Sequence, residues 1–208
     1  MCLSCLTIRF NLDSQAFLLA QIIMKFLKRL GATTLVLLLS IILFRGPLYR
    51  SCVTYRSIGT RGLFEANDAQ LIHFLEDNDV SKQAPSVKSI IEQSLSLASE
   101  QLHFTVANNP VDPNRLIHSY AAHCVGYAEF FSTTCTYYFK NNRLENTWHA
   151  QPQQGQLYLF GYNVHPWFST PFFKDHDFVI IRNKMTGEVI AVDPTVHDYL
   201  YISTVSVR

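Results

Sequence analysis

The stretch HDFVIIRNKMTGEVIAVDPT, residues 176–195, decides the fold. Two runs rich in β-branched and apolar residues, 178–182 and 188–192, flank Asn183-Lys184-Met185-Thr186-Gly187, which has the composition of a turn. The pattern predicts a β-hairpin. With the turn centred on Lys184 and Met185, Arg182 faces Gly187, Phe178 faces Ala191 and His176 faces Asp193. Directly opposed residues of an antiparallel pair project from one face. An imidazole and a carboxylate are therefore expected side by side at one end of the hairpin. A bulge near Gly187 would shift that register by one.

Helical signals lie upstream. Asn67 or Asp68 can cap a short helix through Glu76, with Leu71, Ile72 and Leu75 at helical spacing. A polar loop is expected over 77–84, and then Pro85 and Ser86 open a second helix reaching about Leu102. Its stripe is Val87, Ile90, Ile91, Leu95, Leu97 and Ala98. Pro110 and Pro113 break the chain. A third helix is expected over 124–139, with Cys124, Tyr127, Ala128, Phe131, Cys135 and Tyr138 on one stripe and Glu129 as the one charge. Such a helix belongs in the interior. Further strands are expected over 157–162 and 199–205. Helices first and strands afterwards predict an α+β domain over 65–208, its helices packed on an antiparallel sheet.

Cys124 is the candidate nucleophile. The dipole and open N–H groups of a helix N-terminus favour a thiolate, and the same N–H groups can hold an oxyanion. Taken alone, a cysteine there is more often a buried core residue. The hairpin adds what a lone thiol lacks: His176 as base, and Asp193 to orient the imidazole and stabilise its protonated form. Cys135 falls about 16 Å down the same helix, too far for a disulfide with Cys124.

These residues also resemble a known family. Cys124-Val-Gly-Tyr-Ala resembles the C-x-G-Y-A box of transglutaminase-like domains, His176-Asp-Phe-Val-Ile-Ile their H-x-W-V-x-V box, and Asp193-Pro194-Thr195 their closing D-P-T. The boxes occur in the family order and span 119–196, under half of the chain. The resemblance implies a papain-like core with the cysteine on a helix, the other two residues on adjacent strands, and a Cys124-His176-Asp193 catalytic triad. Phe178 stands where tryptophan is usual. The side chain that completes the oxyanion hole has no evident counterpart, His118 being the one candidate. The aromatic stretch 163–174, with Trp167, Phe168, Phe172 and Phe173, either walls a substrate cleft or packs as a core corner.

The N-terminal region is of another kind. Lys25, Lys28 and Arg29 precede a 15-residue run without charge over 30–44, closed by Arg45, Gly46 and Pro47. Together with an overall composition of 48% apolar and 16% charged residues, this predicts a membrane-associated part. The run is shorter than the roughly 20 residues that cross a bilayer comfortably, but flanking Lys28 and Arg45 can snorkel. An anchor helix over about 28–45 is preferred to a cleaved signal peptide, because no small-residue cleavage site follows Phe44. The remainder is expected on the extracytoplasmic side, and 49–64, basic and punctuated by glycine, reads as a linker that makes 1–64 one region. Met24-Lys25 offers an alternative start.

Other chemistries find little support. Net charge is +1, so no global field recruits nucleic acid. Cys2-x-x-Cys5 has no second pair, and His123, His165 and His176 lack ligand spacing, so no metal is expected. No phosphate loop or nucleotide fingerprint implies a cofactor. The expectation is a membrane-anchored thiol enzyme acting on an amide or peptide bond of a protein or peptide substrate, hydrolysis being favoured over cross-linking. An inactive binding module on the same scaffold and a structural envelope protein are the alternatives.

Overall fold

The computed structural model describes residues 3–79 and 86–208 and divides into two compact units after Phe44. The first is one helix, α1 (Leu3–Leu43). Within it, the 21 residues Ile23–Leu43 have a mean hydropathy of 1.9, long and apolar enough to cross a membrane or to serve as a signal sequence. Thr33, Thr34 and Ser40 turn their hydroxyls back onto the carbonyls of Arg29, Leu30 and Val36 at 2.7, 2.9 and 2.8 Å. That bonding satisfies these three hydroxyls within the helix itself. Cys2 lies outside the described residues, as does the side chain of Cys5.

The second unit runs α2 (Arg45–Cys52), β1 (Val53–Thr60), α3 (Ala69–Asp77), α4 (Val87–Gln101), β2 (His103–Phe104), α5 (Pro113–Ser119), β3 (Ala121–Ala122), α6 (Cys124–Asn141), β4 (Trp148–Leu159), β5 (Tyr162–Asn163), β6 (His176–Asn183), β7 (Val189–Val192), α7 (Pro194–Leu200) and β8 (Ser206–Val207). It is a mixed α+β unit. Six strands form one sheet in the order β7-β6-β4-β1-β8, with β5 hydrogen-bonded to β4. All its pairs are antiparallel except β1 with β8. Residues of α3 to α6 cover one face against Ala150, Val179, Ile181 and Val192. On the other face Tyr55, Phe178, Ala191 and Val205 pack with Tyr49, Leu157 and Ile180.

The three expected helices form. Asp68 caps α3 by accepting from the N–H groups of Gln70 and Leu71, and Ser86 with Ser89 makes a reciprocal capping box on α4. Of the loop expected over 77–84, residues 80–84 lie outside the described residues, as does Pro85.

Three readings change. The expected linker over 49–64 is instead part of the folded unit, which begins at Arg45 and not at 65. Arg56 is exposed on one side of β1, while its neighbour Tyr55 on the other side is fully buried, β1 lying between β4 and β8. The strand expected over 157–162 is the tail of a 12-residue β4, whose glutamine-rich middle conceals the rest, followed by a turn at Phe160 and Gly161 and the start of β5. The strand expected over 199–205 gives way to α7, capped by Asp193 with Pro194 in its first turn, and only Ser206–Val207 pairs.

Candidate active site

The hairpin is present, but its register differs from the expected one. Ile180 pairs with Ala191 and Arg182 with Val189, a displacement of two residues. The turn is longer because the Asn183 side chain accepts the N–H groups of Met185 and Thr186 at 2.9 and 3.0 Å, and Gly187 adopts φ +76°. A slip of two leaves the alternation of faces intact, whereas a slip of one would invert it. His176, Phe178, Ala191 and Asp193 therefore still share a face. The His176 ring reaches diagonally and donates from Nε2 to Asp193 Oδ2 at 2.6 Å.

Asp193 is completely buried and saturated. Its Oδ1 accepts the Val196 N–H at 3.0 Å as the cap of α7, and its Oδ2 also accepts the Tyr55 hydroxyl at 2.7 Å. Since the Tyr55 proton points at the carboxylate, its oxygen accepts from the Tyr49 hydroxyl, 2.6 Å away. Burial raises the titration of both tyrosines, and the Asp193 charge adds to it, so both remain protonated donors at neutral pH. Burial opposes the Asp193 charge, but the charge and hydrogen bond of His176 outweigh it and hold the carboxyl below its ordinary value. Burial likewise opposes protonation of His176, and the Asp193 charge and hydrogen bond reverse the balance, lifting its titration well above the ordinary histidine value.

Cys124 is the first residue of α6 and is 7% exposed. Burial pushes its thiol up. Hydrogen bonds from the His123 and His176 side chains, the charge of His176 and the Asp177 backbone N–H more than offset that, leaving it at about 7. With His176 Nε2 committed to Asp193, Nδ1 is the ring nitrogen left for the sulfur. His123, the residue before α6, makes no side-chain cap bond, so the first amides of the helix are not spent on a capping oxygen. By contrast, burial drives Cys135 up to about 12 and it is wholly enclosed. The two thiols of α6 thus differ in how readily they ionise near neutral pH.

The sulfur opens onto a cleft of about 240 Å³ whose lining includes Asn108, His123, Cys124, Pro171, Phe172 and Asp175. The aromatic stretch thus contributes Pro171 and Phe172 to the cleft wall, with Phe172 edge-on to His123 at 6.2 Å. Trp167 points outward, 67% exposed, so the stretch as a whole is not a core corner. His165 anchors it. Its Nε2 accepts the Leu157 N–H at 2.9 Å and its Nδ1 donates to the Phe173 carbonyl at 2.7 Å, which uses both ring nitrogens. Among the described residues no group of three or more His, Cys, Asp or Glu could hold a metal ion. His118, the candidate oxyanion residue, is instead engaged with Asp68 at 3.1 Å.

A second buried cluster supports the strand that carries His176. Arg61 donates Nε to Asp177 Oδ2 at 2.7 Å and Nη2 to Oδ1 at 2.9 Å, and Asp177 is completely buried. Glu129 of α6 is buried as well, and its Oε2 has no hydrogen-bond partner among the described residues. Burial raises this carboxyl to about 8, with the Asp177 charge adding and Arg61 opposing.

The sequence brought Cys124, His176 and Asp193 forward, and the structure brings them together. Tyr55, Tyr49 and His123 were missed. The two tyrosines lay in the supposed linker, where the alternation Val53, Tyr55, Ser57 was the available signal. Compared with protein-family models, curated proteins and solved structures, the chain has no match.

Proposed function

We propose that the protein is a thiol-dependent enzyme of the transglutaminase-like, papain-like kind that cleaves or transfers the acyl group of an amide or peptide bond. The observation that carries the reading is the His176 ring, bonded through Nε2 to a buried carboxylate at 2.6 Å while its other nitrogen serves a thiol held at about 7. The Cys124 thiolate attacks the carbonyl carbon and forms a C–S bond as the carbonyl electrons move to oxygen. The first amides of α6, which no side-chain cap occupies, are available to receive that oxyanion. His176 gives its proton to the departing amine, the C–N bond breaks, and a thioester remains. His176, now neutral, takes a proton from the acceptor, which attacks the thioester and releases the thiolate. Water as acceptor gives hydrolysis and an amine gives transamidation; the open cleft supplies water, so hydrolysis is the first expectation.

The test is competitive alkylation. Iodoacetamide should modify Cys124 faster than Cys52 or Cys135, with an apparent pKa near 7 for Cys124, and His176→Ala should abolish that preference. Equal, slow labelling of the three would leave an inactive binding module as the reading.

The apolar helix supports a membrane anchor for this domain. Retention in the membrane fraction after carbonate extraction is the expected behaviour, and release into the wash would exclude a spanning helix.

A further inference from the structure

We propose that Tyr55 is a positioning residue for the Asp193 carboxylate, and that Tyr49 holds Tyr55 in that role. The proposal rests on the reading of Cys124, His176 and Asp193 as a catalytic set and adds two residues from α2 and β1 to it. A carboxylate bound only by its histidine can still rotate about its own axis. At Asp193 three donors from three separate elements fix both oxygens: His176 Nε2 at 2.6 Å, the Tyr55 hydroxyl at 2.7 Å and the Val196 N–H at 3.0 Å.

Packing alone does not account for a hydroxyl in this place. Tyr55 is completely buried, with its ring 5.2 Å from Phe178 and 6.1 Å from His176. A phenylalanine fills the same volume without bringing a polar group into an apolar layer, which is costly unless that group is satisfied. Here its partners are Asp193 and, at 2.6 Å, the Tyr49 hydroxyl. The strand order shows how the reach is made. Tyr55 lies on β1, and β4 separates β1 from β6. At the crossing β4 presents Gly155, paired with His176, and the Phe178 ring fills the space left by the missing side chain and packs against Tyr55. The titratable groups that bear on Asp193 are His176 and Tyr55, with Tyr49 behind Tyr55 and Cys124 behind His176.

Alkylation of Cys124 in the full chain, followed by peptide mass spectrometry from pH 4 to 9, tests this. Tyr55→Phe should slow the reaction about tenfold at pH 7, the equivalent of one pKa unit. It should also move the acid limb to higher pH, because a carboxylate free to turn holds the imidazolium, and through it the Cys124 thiolate, less firmly. Tyr49→Phe, at the half-buried rim, should do the same to a smaller extent, about threefold. It provides the readout if Tyr55→Phe does not fold. An unchanged rate and profile in a folded variant would overturn the proposal. Slowing by one factor at every pH, with no displacement of the limb, would also overturn it and leave Tyr55 a packing residue. If the wild-type Cys124 shows no preference over Cys52 and Cys135, the catalytic reading fails and this one with it. If the preference holds and Tyr55→Phe behaves as wild type, only this one fails.

Discussion

His176 Nε2 lies 2.6 Å from Asp193 Oδ2, between a ring that is 18% exposed and a carboxylate with no exposure at all. The pair carries opposite charges, and each partner holds the other in its charged form. Asp193→Asn keeps an oxygen for the Val196 N–H but removes the charge. Alkylation of Cys124 at pH 7 should fall by roughly two orders of magnitude, since the imidazolium that sustains the thiolate loses its counter-charge. The sign of the stability effect follows. The Asp193 contribution is present above the ordinary carboxylate range and lost as pH falls through its depressed value. The His176 contribution is complete below about 6.5 and lost as pH rises through its raised value. The gap in unfolding temperature between wild type and Asp193→Asn should therefore be widest between about pH 4 and 6.5 and close in stronger acid.

Legibility followed local chemistry. The α6 stripe, the Asp68 and Ser86 caps and the His176 to Asp193 hairpin could be read because each is encoded within about one element's length. The register slipped because one side chain, Asn183, decides between turns of different length, and composition does not weigh that bond. It cost nothing at the site, since parity survives a slip of two. The strand β1 was lost for another reason. Its partners β4 and β8 lie about 100 and 150 positions downstream in their pairings, and Arg56 and Gly59, with Arg61 just beyond, interrupt its apolar pattern. Tyr55 could be recognised as a partner of Asp193 only once the sheet order was known. His118 was close to Cys124 in sequence, but α5 directs it to the start of α3.

The position of β1 leads to a truncation test. A chain beginning at residue 45 keeps β1 and Tyr55, whereas one beginning at 65 removes a strand bonded on both sides and leaves β4 with an open edge. The first should purify as a folded protein with a cooperative thermal transition. The second should aggregate or show no transition, since an unpaired β4 edge is a template for association. Cooperative folding of the chain from 65 would show that β1 is dispensable.

Glu129 gives a pH dependence of opposite character to that of Asp193. Its carboxyl is raised from 4.5 to about 8 by burial, so the folded state binds a proton that the unfolded state has released. Stability is therefore lost as pH rises from about 4.5 to 8. The loss is on the order of a few kcal/mol. Glu129→Gln retains the shape without the titration. Its unfolding temperature relative to wild type should increase from pH 5 to pH 8, and parallel curves over that range would refute the assignment.

Gly155 ties the two tests of the site together. A Cβ at this position would meet the Phe178 ring at 2.5 and 2.7 Å and the His176 carbonyl oxygen at 2.9 Å. The ring cannot retreat easily, because it is fully buried against Tyr55, and the carbonyl belongs to the backbone of β6. Gly155→Ala should therefore push β6 away from β4 at the residue that carries the imidazole. Overpacking of this kind costs about 1–3 kcal/mol. The distinguishing expectation is that alkylation of Cys124 slows markedly even at temperatures where the variant is fully folded, because His176 is displaced from Cys124 and Asp193 together. Slower labelling only in proportion to the unfolded fraction would mean that the glycine serves packing and not the alignment of the site.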